Sequence, residues 1–297
     1  MERWCYLRRP KVPDRAPWFN RSRVTVVIGL TTLMSLAGPV DAAQSQVRWL
    51  PSVDRFELPV AAPRPISLAA RLLRSSPTES QFGAEQEVEV TIGNSFSLLA
   101  LGASRRPLTF GVVGQVSARF SLEDPRTALI SHDWTGGIHG MWHRGPWRVT
   151  VELMHESSHL GDEYAERFSA GRLDWTREFV AIWVRRELGP VAIHLTGSQA
   201  LASRPDVVGS AAGAAVDFRG DLGSWGGARV RPVLGVWWES HAFADWRLTT
   251  AGRAGLELDR DGQRFGLSVV GLTGVTPQRQ FYNQPAEYLG IELRFDW

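Results

Sequence analysis

Cysteine is almost absent from this chain. The only one among 297 residues is Cys5, close to the start of the sequence. If the N-terminal region is removed during export, the mature protein has no thiol, no disulfide and no cysteine for a lipid anchor. The folded domain must then be held together by hydrogen bonds and side-chain packing.

Long apolar runs are also missing. No stretch of 18 apolar residues occurs, which argues against a helical membrane protein, since a spanning helix needs roughly 20 such residues. The apolar run Val24 to Ala37 follows a basic leader and precedes the small residues Val40-Asp41-Ala42. This order predicts a secretory signal peptide over residues 1–42, which we exclude from the fold.

A basic surplus disappears together with that segment. Residues 1–42 contain seven basic and three acidic residues, so the formal net charge falls from +2 for the whole chain to −2 for the remainder. No basic surface for nucleic acid remains, and we expect no nucleic-acid partner.

What is present is an alternation of apolar and polar residues with a period of two. In the last segment Leu289 and Ile291 fall on one face, and Glu292 and Arg294 fall on the other. The terminal residue, Trp297, is aromatic. Segments of about ten such residues predict a transmembrane antiparallel β-barrel with an apolar outer face and a charged lumen.

Twelve segments carry this pattern, which predicts an all-β barrel of about 12 strands over residues 66–297. The proline-punctuated residues 43–65 are predicted to form an extended periplasmic segment. The predicted strands are 66–74, 87–101, 108–121, 132–143, 146–157, 173–187, 190–200, 210–219, 229–240, 247–258, 264–274 and 286–297.

Short and long connections alternate between these strands, as in outer-membrane barrels with short periplasmic turns and longer extracellular loops. We therefore expect the outer membrane of a Gram-negative bacterium as the location. Lipid and lipopolysaccharide are the expected partners there, and the aromatic C-terminal strand is expected to engage the barrel assembly machinery. Tryptophans near strand ends are expected to form interfacial girdles; these are Trp134, Trp142, Trp147, Trp175 and Trp297.

One polar stretch, Met154 to Tyr164, interrupts the barrel pattern. Its letters His155-Glu156-x-x-His159 match a zinc-protease motif, but that motif requires a helix to bring both histidines to one face. The residues before it alternate as a strand does. On a strand, His155 and Ser157 continue the lipid-facing column, at the extracellular end of the fifth strand.

His-x-Ser at this position resembles the active sites of outer-membrane phospholipase A and of the lipid A deacylases, barrels whose catalytic serine and histidine face the bilayer. The resemblance implies Ser157 as the nucleophile and His155 as the general base. Glu178 on the next strand has the parity to orient the histidine, with Asp162 and Glu163 as rival candidates. Those enzymes usually follow the serine with asparagine, whereas Ser158 stands here.

A structural role for the same stretch stays open. Ser158, His159, Asp162 and Glu163 could anchor or bind through the loop, with Gly161 supplying a positive φ and His159 pairing with an acid. No cofactor is expected, although a divalent cation such as calcium could bind Asp162, Glu163 and Glu166. The function is thus either acyl-ester hydrolysis of envelope lipid or that of a non-enzymatic structural barrel or narrow pore.

The longer motif His155-x-Ser-Ser-His-Leu-Gly-Asp-Glu-Tyr164 is more specific. Together with Leu58–Pro65, Ala118–Phe120 and Asp174–Glu178, it resembles a bacterial family known only as a domain of unknown function. The resemblance runs from about residue 47 to the C-terminus. It departs at Ala62, where the family has an acidic residue. The family implies an outer-membrane barrel and assigns no reaction.

Overall fold

A computed structural model describes residues 47–51, 56–76, 85–102, 108–123, 128–168, 171–207 and 209–297. The predicted signal peptide and the predicted turn at 103–107 lie outside these ranges. Within them, none of the helices has the length and apolar character needed to cross a membrane.

Twelve long strands form the wall of the protein in the described residues, and each end lies within four residues of its predicted position. Two short strands, β1 (Val47–Trp49) and β10 (Ser224–Trp225), pair with the wall. The wall strands are β2 (Leu68–Ser75), β3 (Gln86–Leu101), β4 (Leu108–Ser121), β5 (Leu129–Arg144), β6 (Trp147–Leu160), β7 (Trp175–Leu188), β8 (Val191–Arg204), β9 (Ser210–Arg219), β11 (Ala228–His241), β12 (Leu248–Arg260), β13 (Gln263–Val275) and β14 (Pro285–Asp296).

Each wall strand pairs antiparallel with its neighbour in the chain, and β14 pairs with β2 to close the ring. Closure leaves none of the twelve wall strands in the described residues at an open edge of the sheet. The predicted all-β antiparallel barrel of twelve strands is confirmed. Counted from β2, the strand that carries His155 is the fifth, as predicted.

The two ends of the barrel differ in their connections. Residues 145–146, 189–190 and 261–262 form tight turns at one end, here called the short-turn end. The other end, the long-loop end, carries the loop at 161–174, which contains helix α1 (Asp162–Phe168), and the loop at 276–284 with a 3₁₀ turn (Arg279–Phe281).

The faces of the wall follow the predicted alternation. On β14, Leu289, Ile291 and Leu293 are exposed outside, whereas Glu292 and Arg294 are buried in the lumen. Glu292 is paired with three arginines, at 2.7 Å from Arg71, 2.9 Å from Arg253 and 3.0 Å from Arg294. A buried charge without a partner would cost free energy through lost solvation. In the lumen, charges of opposite sign neutralise one another in groups.

A segment from the N-terminal side fills part of the lumen. Residues 56–66, here called the lumen segment, lie largely buried inside the barrel. Residues 56–65 belong to the stretch 43–65 that was expected to extend into the periplasm. The backbone N–H of Val60 donates to the Asp217 carboxylate at 3.0 and 3.1 Å, and Ser95 Oγ donates to the Phe56 carbonyl at 3.2 Å. The lumen side chains give the backbone of this segment hydrogen-bond partners that water would otherwise supply. The segment therefore lies inside the barrel rather than in the periplasm.

Glu57 fixes the part of the lumen segment that lies at the short-turn end of the barrel. Its carboxylate accepts a hydrogen bond from Arg264 at 2.8 Å and lies 3.9 Å from Arg219. Burial by itself would raise the pKa of Glu57, but the two guanidiniums prevail and lower it to about 2. Glu57 is therefore charged at neutral pH and fixes this end of the segment.

Candidate active site on the outer face

The polar stretch divides between the two faces of β6. His155, Ser157 and His159 point outward, and Glu156 and Ser158 point into the lumen, each only 2% exposed. The side chain of His155 is 55% exposed on the lipid-facing side. The outward direction of His155 and Ser157 is the one that strand parity predicts.

His155 is hydrogen-bonded to Glu178 across the β6–β7 pair. The two residues are direct partners in register, and Nδ1 of His155 lies 3.1 Å from Oε1 of Glu178. An ionised carboxylate can only accept, so Nδ1 donates to Glu178, and in the neutral imidazole the lone pair is then on Nε2. This is the tautomer that a general base needs.

A β-bulge lies beside Glu178. The β7–β8 register shifts between Glu178 and Phe179, where β8 has one extra residue, Leu201. Bulges re-aim side chains locally and are common next to active sites. The irregularity thus falls at the residue that holds His155.

Ser157 lies between two cross-strand partners. Trp134 of β5 is half exposed next to it, and Thr176 of β7 is directly opposite it. Gly136 is the β5 partner of His155, so the outer surface beside the ring has no side chain on that strand. The result is a shallow outer surface with an indole on one side of the serine.

Beyond Ser157, His159 belongs to a cluster near the long-loop end. Its ring centroid lies 5.1 Å from that of His132, and Trp134 Nε1 donates to Nδ1 of His132 at 2.8 Å. Among the described residues, Asp162 is bound to Arg172 at 2.5 Å, and no ion pair joins His159 to either acid that was considered for it. Glu163 lies exposed on α1.

Gly161 allows a close approach rather than a positive φ. A Cβ at this position would lie 1.8 Å from the Leu129 carbonyl oxygen, and the backbone N–H of Gly161 donates to Ile130 O at 2.8 Å. The predicted positive φ is not found. Next to it, Tyr164 packs into a buried cluster with Phe281, so the stretch also anchors the loop.

The zinc-protease interpretation is wrong for a geometric reason. Four residues along a strand separate His155 from His159 by about 13 Å, and Glu156 points to the opposite face. Across the described ranges, no group of three or more His, Cys, Asp or Glu residues could hold a metal ion. That includes the suggested calcium ligands Asp162, Glu163 and Glu166.

The lumen behind this site is built around Glu156. Arginines from three separate elements contact its carboxylate: Arg177 of β7 at 2.7 Å, Arg64 of the lumen segment at 2.9 Å and Arg279 of the 276–284 loop at 3.0 Å. Burial lowers the pKa of Arg279 to about 10, so it stays charged at neutral pH. Of the three arginines, sequence patterns single out the segments that contain Arg64 and Arg177, but not the contacts of these residues with Glu156. They do not single out Arg279.

One girdle prediction fails in this region. Trp175 is 2% exposed and packs inside the barrel against Phe243 and Tyr282, with ring centroids at 5.6 and 4.9 Å. It shares its parity with the inward Arg177. Trp134 and Trp147 are exposed outside as expected.

A closed antiparallel barrel of twelve strands, with an apolar outer surface and a charged lumen, is a transmembrane β-barrel of the outer-membrane type. The chain belongs to the family described as "Protein of unknown function (DUF1207)", which matches residues 36–297. Comparison with curated proteins gives no match.

Solved structures with the same fold include two outer membrane phospholipases A. The enzyme from Escherichia coli matches with a TM-score of 0.52 and 13% identity, over 83% of this chain and 94% of that chain. The calcium-bound dimer from Salmonella typhi matches with a TM-score of 0.54 and 14% identity, over 83% and 95%. LpxR from Salmonella typhimurium matches less well, with a TM-score of 0.38 and 12% identity, over 78% and 100%.

The described lumen is too full for a wide pore. The lumen segment, the 276–284 loop and the wall side chains leave a cavity of about 150 Å³, enough for a few water molecules. We therefore expect no stable ion conductance when the full-length protein is reconstituted in a planar bilayer. Insertion is checked by recovering intact, protease-protected protein from vesicles made in parallel, and reproducible stepwise currents would contradict this expectation.

Proposed function

We propose that this protein resides in the outer membrane and hydrolyses acyl esters of envelope lipid, with Ser157 as nucleophile, His155 as general base and Glu178 as the group that orients His155. The observation that carries the proposal is the His155–Glu178 hydrogen bond on the lipid-facing surface, with Ser157 on the same face of the same strand. A polar pair next to acyl chains costs free energy. A catalytic role would account for its presence there.

The proposed chemistry uses the three groups in turn. His155 Nε2 takes the proton of Ser157 as the hydroxyl oxygen attacks the ester carbonyl carbon. The tetrahedral intermediate collapses, the C–O bond to the lipid alcohol breaks, and His155 returns its proton to that alcohol. Water then attacks the acyl-serine in the same way, which releases a fatty acid and restores Ser157.

The proposed substrate class is supported by the position of Ser157 along β6 and by the outward direction of its side chain. Ser157 lies near the long-loop end of β6. The first wall strand begins and the last wall strand ends at the short-turn end, which supports a long-loop end that faces outward. Lipopolysaccharide and phospholipid present their acyl esters there. The solved phospholipases with this fold add support, since a barrel wall of this design accommodates lipid hydrolysis in those proteins.

The same placement supports a biogenesis partner. Phe295 and Trp297 stack at the end of β14 with ring centroids 5.6 Å apart. This aromatic end is the part of the chain that the barrel assembly machinery would bind in our proposal.

A serine-directed probe tests the proposal without knowledge of the substrate. We expect a fluorophosphonate to form one adduct with the folded protein in detergent, which peptide mass spectrometry locates at Ser157. Replacing His155 with alanine should slow labelling by about 100-fold, the usual contribution of a general base. Heat-denatured protein serves as the control for non-specific reaction. The absence of any adduct favours a non-enzymatic structural barrel, and an adduct at another serine overturns the assignment of Ser157 as the nucleophile.

A further inference from the structure

The lumen network lies directly behind the outer-face pair. Glu156 stands between His155 and Ser157 on β6, and Arg177 stands between Thr176 and Glu178 on β7. Glu156 and Arg177 are register partners, joined at 2.7 Å, and each is at most 4% exposed. The inner ion pair and the outer His155–Glu178 pair are thus built on adjacent rungs of the same two strands.

Two segments that are not part of the wall converge on this inner pair. Arg64 of the lumen segment contacts Glu156 at 2.9 Å and Asp133 of β5 at 3.0 Å. Arg279 contacts Glu156 at 3.0 Å, and its backbone N–H donates to the same Asp133 oxygen at 3.2 Å. Contacts in the lumen therefore connect strands β5, β6 and β7 at the same height along the barrel axis.

A third contact fixes the end of β6 from the same loop. Gln280 Nε2 donates to the carbonyls of Ser158 and Leu173, each at 2.8 Å, and its Oε1 accepts from the Leu173 backbone N–H at 3.0 Å. The loop thus joins β6 to the residues that lead into β7. These are the two strands that carry the proposed catalytic groups.

We propose that Arg64 and Arg279, acting through Glu156, are positioning residues for the lipid-facing site, so that the lumen segment is a required part of the hydrolase. Backbone pairing already closes the wall, so an inner clamp is not needed for closure. A displacement of about 1 Å at reacting groups, however, costs roughly 100-fold in rate. This inference rests on the proposed function of Ser157.

The lumen segment offers its own matched control. Arg64 lies at the β6–β7 end of the segment, and Glu57 lies at the short-turn end, paired with Arg264 at 2.8 Å. Arg64→Ala and Glu57→Gln each remove one charge of the same segment, but only Arg64 contacts Glu156. Arg64→Lys keeps the charge near Glu156 and should restore part of any loss.

The test has two measurements on the full-length folded protein in phospholipid vesicles. Hydrogen exchange of backbone amides in 153–160 and 175–180 should become at least about tenfold faster in Arg64→Ala and stay unchanged in Glu57→Gln. Fatty-acid release should show kcat at least about tenfold lower in Arg64→Ala, partly recovered in Arg64→Lys, with KM within about twofold because the lipid-contacting surface is unaltered.

The outcomes separate the two proposals. Unchanged exchange in Arg64→Ala overturns the clamp whatever the activity. Faster exchange with an unaltered kcat, in a protein whose Ser157→Ala form is inactive, overturns the positioning role. If Ser157→Ala is as active as the wild type, the proposed function fails instead, and the exchange result alone decides whether the lumen segment holds β6 and β7.

Discussion

The Ser157→Ala variant is expected to lose at least about 1,000-fold in fatty-acid release, because no other group can take over the nucleophile's role. The next residue supplies the control. Ser158 has the same side chain but is buried on the opposite face of β6. Ser158→Ala should therefore keep activity within about threefold of wild type, since an alanine fills its place without reaching the lipid. The two substitutions remove the same hydroxyl group from opposite faces of one strand.

The measurement is fatty-acid release from phospholipid vesicles and, separately, from purified lipopolysaccharide. Folding of each variant is established first by the faster gel migration of the unheated barrel. The double variant of Ser157→Ala and His155→Ala should be no less active than Ser157→Ala alone, because groups that act as a unit are not additive. Equal activity of Ser157→Ala and the wild type on both lipids would exclude the serine mechanism.

The parts of the structure that depend on local period were predictable. Alternation with a period of two gave the strand limits, and parity within β6 gave the outward direction of His155 and Ser157. Parity within β7 also selected Glu178, whose hydrogen bond to His155 is 3.1 Å long. Each of these inferences needed only neighbouring residues, because a strand's faces are fixed by its own pleat.

The lumen could not be predicted in the same way. Val60 finds its acceptor in Asp217, 157 residues away, and Arg279 finds Glu156 at a separation of 123 residues. Proline-rich residues 56–66 have no periodicity of their own, so their position depends on partners from distant strands. Trp175 has a simpler explanation: it lies at a strand end, as interfacial tryptophans do, but its inward parity on β7 decides its position.

Glu156→Ala is expected to destabilise the barrel by about 3–5 kcal/mol, the usual cost of removing one partner from a buried ionic group. The reason is the number of charges that depend on this carboxylate. Arg64, Arg177 and Arg279 all contact it and are largely buried. Asp133 compensates Arg64 in part, at 3.0 Å. The remaining positive charges would repel one another in a poorly solvated lumen.

Urea unfolding in lipid vesicles, followed by tryptophan fluorescence, measures this loss as a lower midpoint with an unchanged slope. The control is Glu163→Ala, an exposed acid on α1, which should change the free energy of unfolding by no more than about 0.5 kcal/mol. Arg177→Ala should cost less in the Glu156→Ala background than in the wild type, because its partner has already gone. If Glu156→Ala unfolds at the wild-type midpoint, the three arginines must be neutralised by other groups, and Glu156 cannot be the centre of the lumen network.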